Sequence, residues 1–108
     1  MNNYTDLEKA IYNALSVSYE SARTRRELCR AVGCNDRKLR EAIESLRRDF
    51  PIISNDDGTG YYIPSPDETG RSQAAGWLER QRRRGNAIRR ATRGAQLFVI
   101  AEKGESGR

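Results

Sequence analysis

The sequence predicts a mainly α domain carrying a small β-hairpin, followed by a helical extension. Three observations predict it. Capping-box tetrapeptides open two helices, a glycine separates two short helices, and a glycine-centred turn joins two β-rich runs. Thr5-Asp6-Leu7-Glu8 is the first capping box, and Leu7, Ala10, Ile11, Ala14 and Leu15 follow on one face, so a helix is expected over about residues 5–17. Residues 17–23 connect it to the second box, Thr24-Arg25-Arg26-Glu27. Leu28, Ala31 and Val32 give the next helix an apolar stripe, and Gly33 ends it in a left-handed conformation. Asn35 caps a third helix over 35–48, in which Leu39, Ala42, Ile43 and Leu46 recur at helical spacing. Phe50-Pro51 stops that run, because proline drives the residue before it out of helical geometry. Ile52-Ile53-Ser54-Asn55 and Tyr61-Tyr62-Ile63 read as strands, with Gly58 and Gly60 supplying positive φ in the turn between them.

The expected core is Leu7, Ile11, Leu15, Leu28, Val32, Leu39, Ile43, Leu46, Ile53 and one of Tyr61 and Tyr62, since neighbours on a strand face opposite ways. Residues 1–64 form this domain. Residues 65–108 form a basic extension, opened by Ser65-Pro66-Asp67-Glu68 with Ser65 as cap and Pro66 in the first helical position. A helix over about 67–93 follows, with a break expected near Gly85, because each interior glycine weakens a helix by about 1 kcal/mol. Ala74, Trp77, Leu78, Gln81, Ile88 and Ala91 fall near one stripe of it. Gln96-Leu97-Phe98-Val99-Ile100-Ala101 reads as a strand or a docking segment, and Glu102 to Arg108 as a frayed polar end.

Helix, glycine turn, helix and hairpin resemble a winged helix-turn-helix domain over about residues 5–63. The residues that carry the resemblance are Cys29 where the helices cross, Gly33 in the turn, Leu39 six positions on, and the flanking Leu28 and Val32. Ala42 departs from the pattern, which more often has a larger aliphatic there; Ile43 can carry that packing. The stretch from Thr24 to Tyr62 is also similar to small prophage-encoded winged-helix proteins of Gram-positive bacteria, whose roles vary. The resemblance implies double-stranded DNA as partner, with the third helix in the major groove. It also implies a short third strand beside the hairpin, drawn from residues 17–23, and dimerisation through an added helix.

Net charge is +5, from 20 basic and 15 acidic residues, with mean hydropathy −0.88. Residues 1–70 hold 10 basic and 12 acidic groups, residues 71–108 hold 10 and 3, and residues 23–48 hold 9 and 4. A locally basic face with a basic extension is an electrostatic footprint suited to nucleic acid. The expected DNA-binding residues are Arg25, Arg26, Asn35, Arg37, Lys38, Arg40 and Arg48. With Leu39, Ile43 and Leu46 inward, the opposite face of the third helix holds Arg37, Glu41, Glu44 and Arg48, with Arg40 at its edge. Arg37 is the best base reader, since arginine can pair with guanine O6 and N7. Asn35 has two competing uses, helix cap and base reader. Arg25 and Arg26 sit where acidic residues are usual and suit phosphate contacts. Arg80, Arg82, Arg83, Arg84, Arg89 and Arg90 are candidates for further phosphate contacts. Trp77, Leu78 and Ile88 are candidates for a homodimer seam. Glu41, Glu44 and the acidic hairpin tip oppose phosphate and favour the rival reading, a protein-interaction adaptor or anti-repressor.

Other functions are excluded by what is missing from the sequence. There is no histidine, nucleophile elbow or metal cluster, so neither an enzyme nor a cofactor or small-molecule substrate is expected. Two cysteines are too few for structural zinc, and Cys29 and Cys34 read as small packing residues. No apolar run approaches the ~18 residues of a membrane span, and the first residues are unlike a signal peptide, so a cytoplasmic location is expected.

Overall fold

The computed structural model describes residues 3–55 and 57–106, with side chains as far as Ala101. Its elements are α1 (Asp6–Ala14), a 3₁₀ turn (Tyr19–Ser21), β1 (Arg23–Thr24), α2 (Arg25–Val32), α3 (Asp36–Leu46), β2 (Ile53–Ser54), β3 (Gly60–Tyr62) and α4 (Glu68–Ser106). The protein is mainly α with a small antiparallel sheet and a long C-terminal helix. The chain divides into two compact units, one ending at Ala75 and one beginning at Gly76.

Local chemistry sets each helix start in the first unit. Thr5 Oγ1 accepts from the Glu8 N–H at 3.1 Å, and the Glu8 carboxylate accepts from the Thr5 N–H at 2.8 Å. Thr24 and Glu27 repeat the exchange, both bonds at 3.1 Å. Asn35 Oδ1 accepts from the Lys38 N–H at 2.8 Å and opens α3. Gly33, at φ 72° and ψ 45°, closes α2 in the left-handed region. The Cys34 N–H then reaches back to the Cys29 carbonyl at 3.1 Å, the bond of a Schellman ending. Such endings pair the apolar side chains at those two positions, which accounts for both cysteines. α1 and α3 end at Ala14 and Leu46, short of the expected 17 and 48, because Leu15 is already extended and the chain after Leu46 tightens into i→i−3 turns, with Arg48 bonding Ser45 and Asp49 bonding Leu46.

The sheet has the order β1-β3-β2. Arg23 pairs with Tyr61 and Thr24 with Gly60 on one side, and Ile53 with Tyr62 and Ser54 with Tyr61 on the other. The third strand is thus the pair of residues that leads directly into α2. Gly60 is needed for close approach: a Cβ there would stand 2.6 Å from the Arg23 carbonyl oxygen. Among the described residues of the turn, only Gly58 has positive φ, at 73°, which corrects the expectation for Gly60. Asp56, at the hairpin tip, lies outside the described residues.

Ile11, Leu15, Leu28, Leu39, Ala42, Ile43, Leu46, Ile52 and Tyr61 form the core, with Leu7, Val32, Cys29 and Cys34 packed half-buried against it. Ala31 is exposed and does not join its stripe. Both tyrosines are buried, where one was expected. The reason is that β3 is covered on both faces. Tyr61 faces the core, while Tyr62 meets the Tyr19 ring edge-on at a centroid distance of 5.6 Å, with Ile53 paired across from it. The 3₁₀ turn therefore roofs the outer face of the sheet.

In α4 the cap lies two positions later than expected. Asp67 is the cap, accepting from the Gly70 N–H at 2.8 Å and from the Ser65 hydroxyl at 2.7 Å. The helix then runs unbroken through Gly85, and residues 96–101 are helical, not a strand. A lone strand there would leave its backbone groups unpaired, whereas a helix satisfies them within itself. The helix continues through Ser106, where a frayed end was expected from Glu102, and Gly107 and Arg108 lie outside the described residues.

Candidate nucleic-acid interface

The Gly33 turn brings Arg25 and Arg26 of α2 beside the start of α3, where Asp36 also holds Arg40. Arg26, Asn35, Arg37, Lys38, Arg40 and Arg48 are exposed and Arg25 is half-buried. Asp36, the first residue of α3, links the two helices: its carboxylate takes Arg25 Nε at 3.2 Å and Arg40 Nε at 2.9 Å. Arg37 Nε meets Glu41 Oε1 at 3.1 Å, one turn on, with Arg37 84% and Glu41 63% exposed. Ion pairs in water contribute about 0–1 kcal/mol each. These arginines are therefore held in place loosely enough to exchange a carboxylate for a phosphate.

The N-terminus of α2 offers its side chains more than its backbone. The Arg25 N–H donates to the Thr59 carbonyl at 3.2 Å, and the Glu27 N–H is taken by the Thr24 hydroxyl. The hairpin thus consumes a donor that a phosphate would otherwise use. What this end offers is the guanidinium groups of Arg25 and Arg26. Asn35 is engaged as the α3 cap through Oδ1, the first of its two expected uses.

Arg25, Arg26, Arg30, Cys29, Cys34 and Asp36 line an open cleft of about 460 Å³. Arg30 belongs to this basic surface although sequence reasoning did not single it out. Its signal was its place one helical turn after Arg26. Burial pushes the Cys29 thiol up, with Cys34 beside it acting in the same direction, so Cys29 stays a thiol and a packing group. Arg47 leaves the surface. It donates from Nε to the Ile52 carbonyl and from a terminal nitrogen to Ser54 Oγ, each at 2.9 Å, and its guanidinium lies 5.4 Å from the centre of the Tyr61 ring. These bonds tie α3 to β2.

The hairpin tip satisfies itself. Asp57 accepts from the Thr59 hydroxyl at 2.7 Å and from its N–H at 3.1 Å, and Asn55 Oδ1 accepts from the Gly60 N–H at 3.1 Å. The Thr59 hydroxyl and N–H hold the Asp57 carboxyl below the usual range, so the tip is anionic at neutral pH.

In the second unit, Arg80, Arg82, Arg83, Arg84, Arg89 and Arg90 are all exposed. Glu79 takes two bonds from a single Arg82 nitrogen, at 2.7 and 2.8 Å, and lies 3.3 Å from Arg83. Leu78 and Ile88 are 60% and 56% exposed, whereas Trp77 is half-buried, which separates it from the other two seam candidates. No helix among the described residues is long and apolar enough to cross a membrane. No family model matches the chain, and no curated protein or solved structure is similar to it.

Proposed function

We propose that the first unit is a winged helix-turn-helix that binds double-stranded DNA, in transcriptional control or phage-type DNA metabolism in the cytoplasm. The observation that carries this reading is the basic cleft at the Gly33 turn, lined by Arg25, Arg26 and Arg30 and joined to Arg40 through Asp36, with Arg37 and Lys38 exposed on the same helix as Arg40. Among the described residues, Asp36 and Glu41 meet these side chains in solvent-exposed pairs. α3 lies in the groove, Arg37 reads a base after leaving Glu41, and Arg25 and Arg26 hold phosphates. Lys38, Arg40 and Arg48 add backbone contacts, and the α4 arginines supply further phosphate contacts.

Fluorescence-anisotropy titration with random duplex DNA across a salt series tests it. A steep fall of affinity with salt is expected, since bound phosphates release counterions. Arg37→Ala is expected to cost about 1–3 kcal/mol and to relax preference at one base pair, while Arg25→Ala weakens all sequences alike. Unchanged affinity in both variants at low salt would reject the reading. The rival, an adaptor or anti-repressor that meets a protein through this same face, is favoured by the Arg37–Glu41 pair and the anionic hairpin tip.

A further inference from the structure

We infer that the second unit self-associates as an antiparallel helix pair, with Leu78 of each chain seated beside Ala95 of the other. From Leu78 onward, Leu78, Gln81, Gly85, Ile88, Thr92, Ala95 and Val99 recur at alternating spacings of three and four. That is the seam of a two-helix coil. Leu78, Ile88 and Val99 are 60%, 56% and 61% exposed, so this chain alone does not cover the seam.

Two features point to a second copy as the occupant. The first is a ready hole. Thr92, Ala95, Gln96 and Val99, with Ile100 beside them, line an open and mostly apolar groove of about 480 Å³. Four residues at i, i+3, i+4 and i+7 are the hole into which a coiled-coil knob inserts. The second is size matching under two-fold symmetry. In the antiparallel register that puts Leu78 into this hole, Ile88 faces Gly85 and Gln81 faces Thr92 of the other copy. Each large apolar knob then meets a small residue, and every contact occurs twice, as a two-fold interface requires. In a parallel, in-register pair Gly85 would face Gly85 and Ala95 would face Ala95, leaving voids where packing is needed.

Gly85 supports the same arrangement. Within the chain a Cβ there would meet only the tip of the Arg89 side chain, at 4.0 Å. Nothing in its own chain therefore requires a residue that weakens the helix. A closely approaching Ile88 of a second copy does. Gly94 lies off the seam, and nothing in this pairing explains it. Charge also prefers the antiparallel sense. It sets Arg82, which Glu79 partly neutralises, near Arg89 of the other copy, whereas the parallel sense sets Arg84 there.

The pairing is independent of DNA binding and is tested without DNA. Sedimentation of the full chain at tens of micromolar is expected to show a dimer. Chains carrying Leu78→Cys and chains carrying Ala95→Cys, mixed and oxidised, are expected to yield a disulfide joining positions 78 and 95, located by peptide mapping against the wild-type chain. Neither variant alone should link to itself at its new position. Ile88→Asp should raise the dimer dissociation constant by about tenfold or more, equivalent to about 1.4 kcal/mol, with unchanged helix content by circular dichroism. A monomer at about 100 μM, self-linking at position 78, or an unaltered Ile88→Asp dimer would each overturn the inference.

Discussion

Arg47 and Arg48 are adjacent and chemically identical, yet one is a structural element and the other a surface charge. Arg47 is half-buried, with its guanidinium bonded to Ile52 and Ser54 and stacked by Tyr61; burial pushes its pKa down, but an arginine remains charged. Arg48 is exposed. Arg47→Met is expected to lower unfolding stability by about 1–3 kcal/mol, since it strips the Ile52 carbonyl of a partner. Arg48→Ala should stay within about 0.5 kcal/mol. Urea unfolding followed by circular dichroism checks both, and equal losses would refute the assignment. Helical spacing puts Arg48 on the outward face of the third helix but assigns Arg47 no role, because only the approach of β2 selects Arg47. Gly33 and Asn35, by contrast, were legible, since a left-handed turn and a helix cap are set by residues within a few positions.

At the scale of elements, the two capping boxes hold the starts of α1 and α2 by charge as well as by geometry. The Thr24 backbone N–H, then its hydroxyl, hold the Glu27 carboxyl below its usual value. The Ser45 hydroxyl, then the Thr5 N–H, do the same for Glu8 and also tie α1 to α3. A carboxyl depressed in the folded state contributes stability that is present above its unfolded value, about 4.3, and lost as pH falls through the lower folded value. The melting temperature is therefore expected to drop on acidification from about pH 5 to about pH 3. Glu27→Gln should flatten that drop, because glutamine keeps the box while losing the titration. A variant with an identical acid slope would count against Glu27 as a contributor. α4 was legible as a helix but not in its extent. Beyond Gly85 the apolar run 96–101 has composition suited to either structure, and periodicity over six residues does not separate them.

For the whole molecule, salt acts in opposite directions on the two proposed associations. DNA binding releases counterions and weakens as salt rises. The helix pair brings α4 arginines of two chains together, so screening their repulsion leaves it equal or stronger. Between about 0.05 M and about 0.5 M salt, duplex affinity is expected to fall by orders of magnitude while the dimer persists. Anisotropy and sedimentation on one salt series measure both, and a dimer that dissociates with rising salt would contradict the apolar seam.

What the sequence by itself determined is the set of elements whose causes are local: three capped helices, the Gly33 turn, the hairpin, and a basic surface beside the turn. Caps and turns act over three or four residues, so their residue types suffice to place them. Only tertiary structure decided which side chains face what. It buried both Tyr61 and Tyr62 by roofing the sheet with Tyr19, turned Arg47 onto β2, joined Arg25 and Arg40 through Asp36, and added Arg30 to the cleft. The physical reason is that these outcomes depend on segments distant in sequence meeting in space, and a linear pattern records which residues are apolar or charged but not which neighbours they meet.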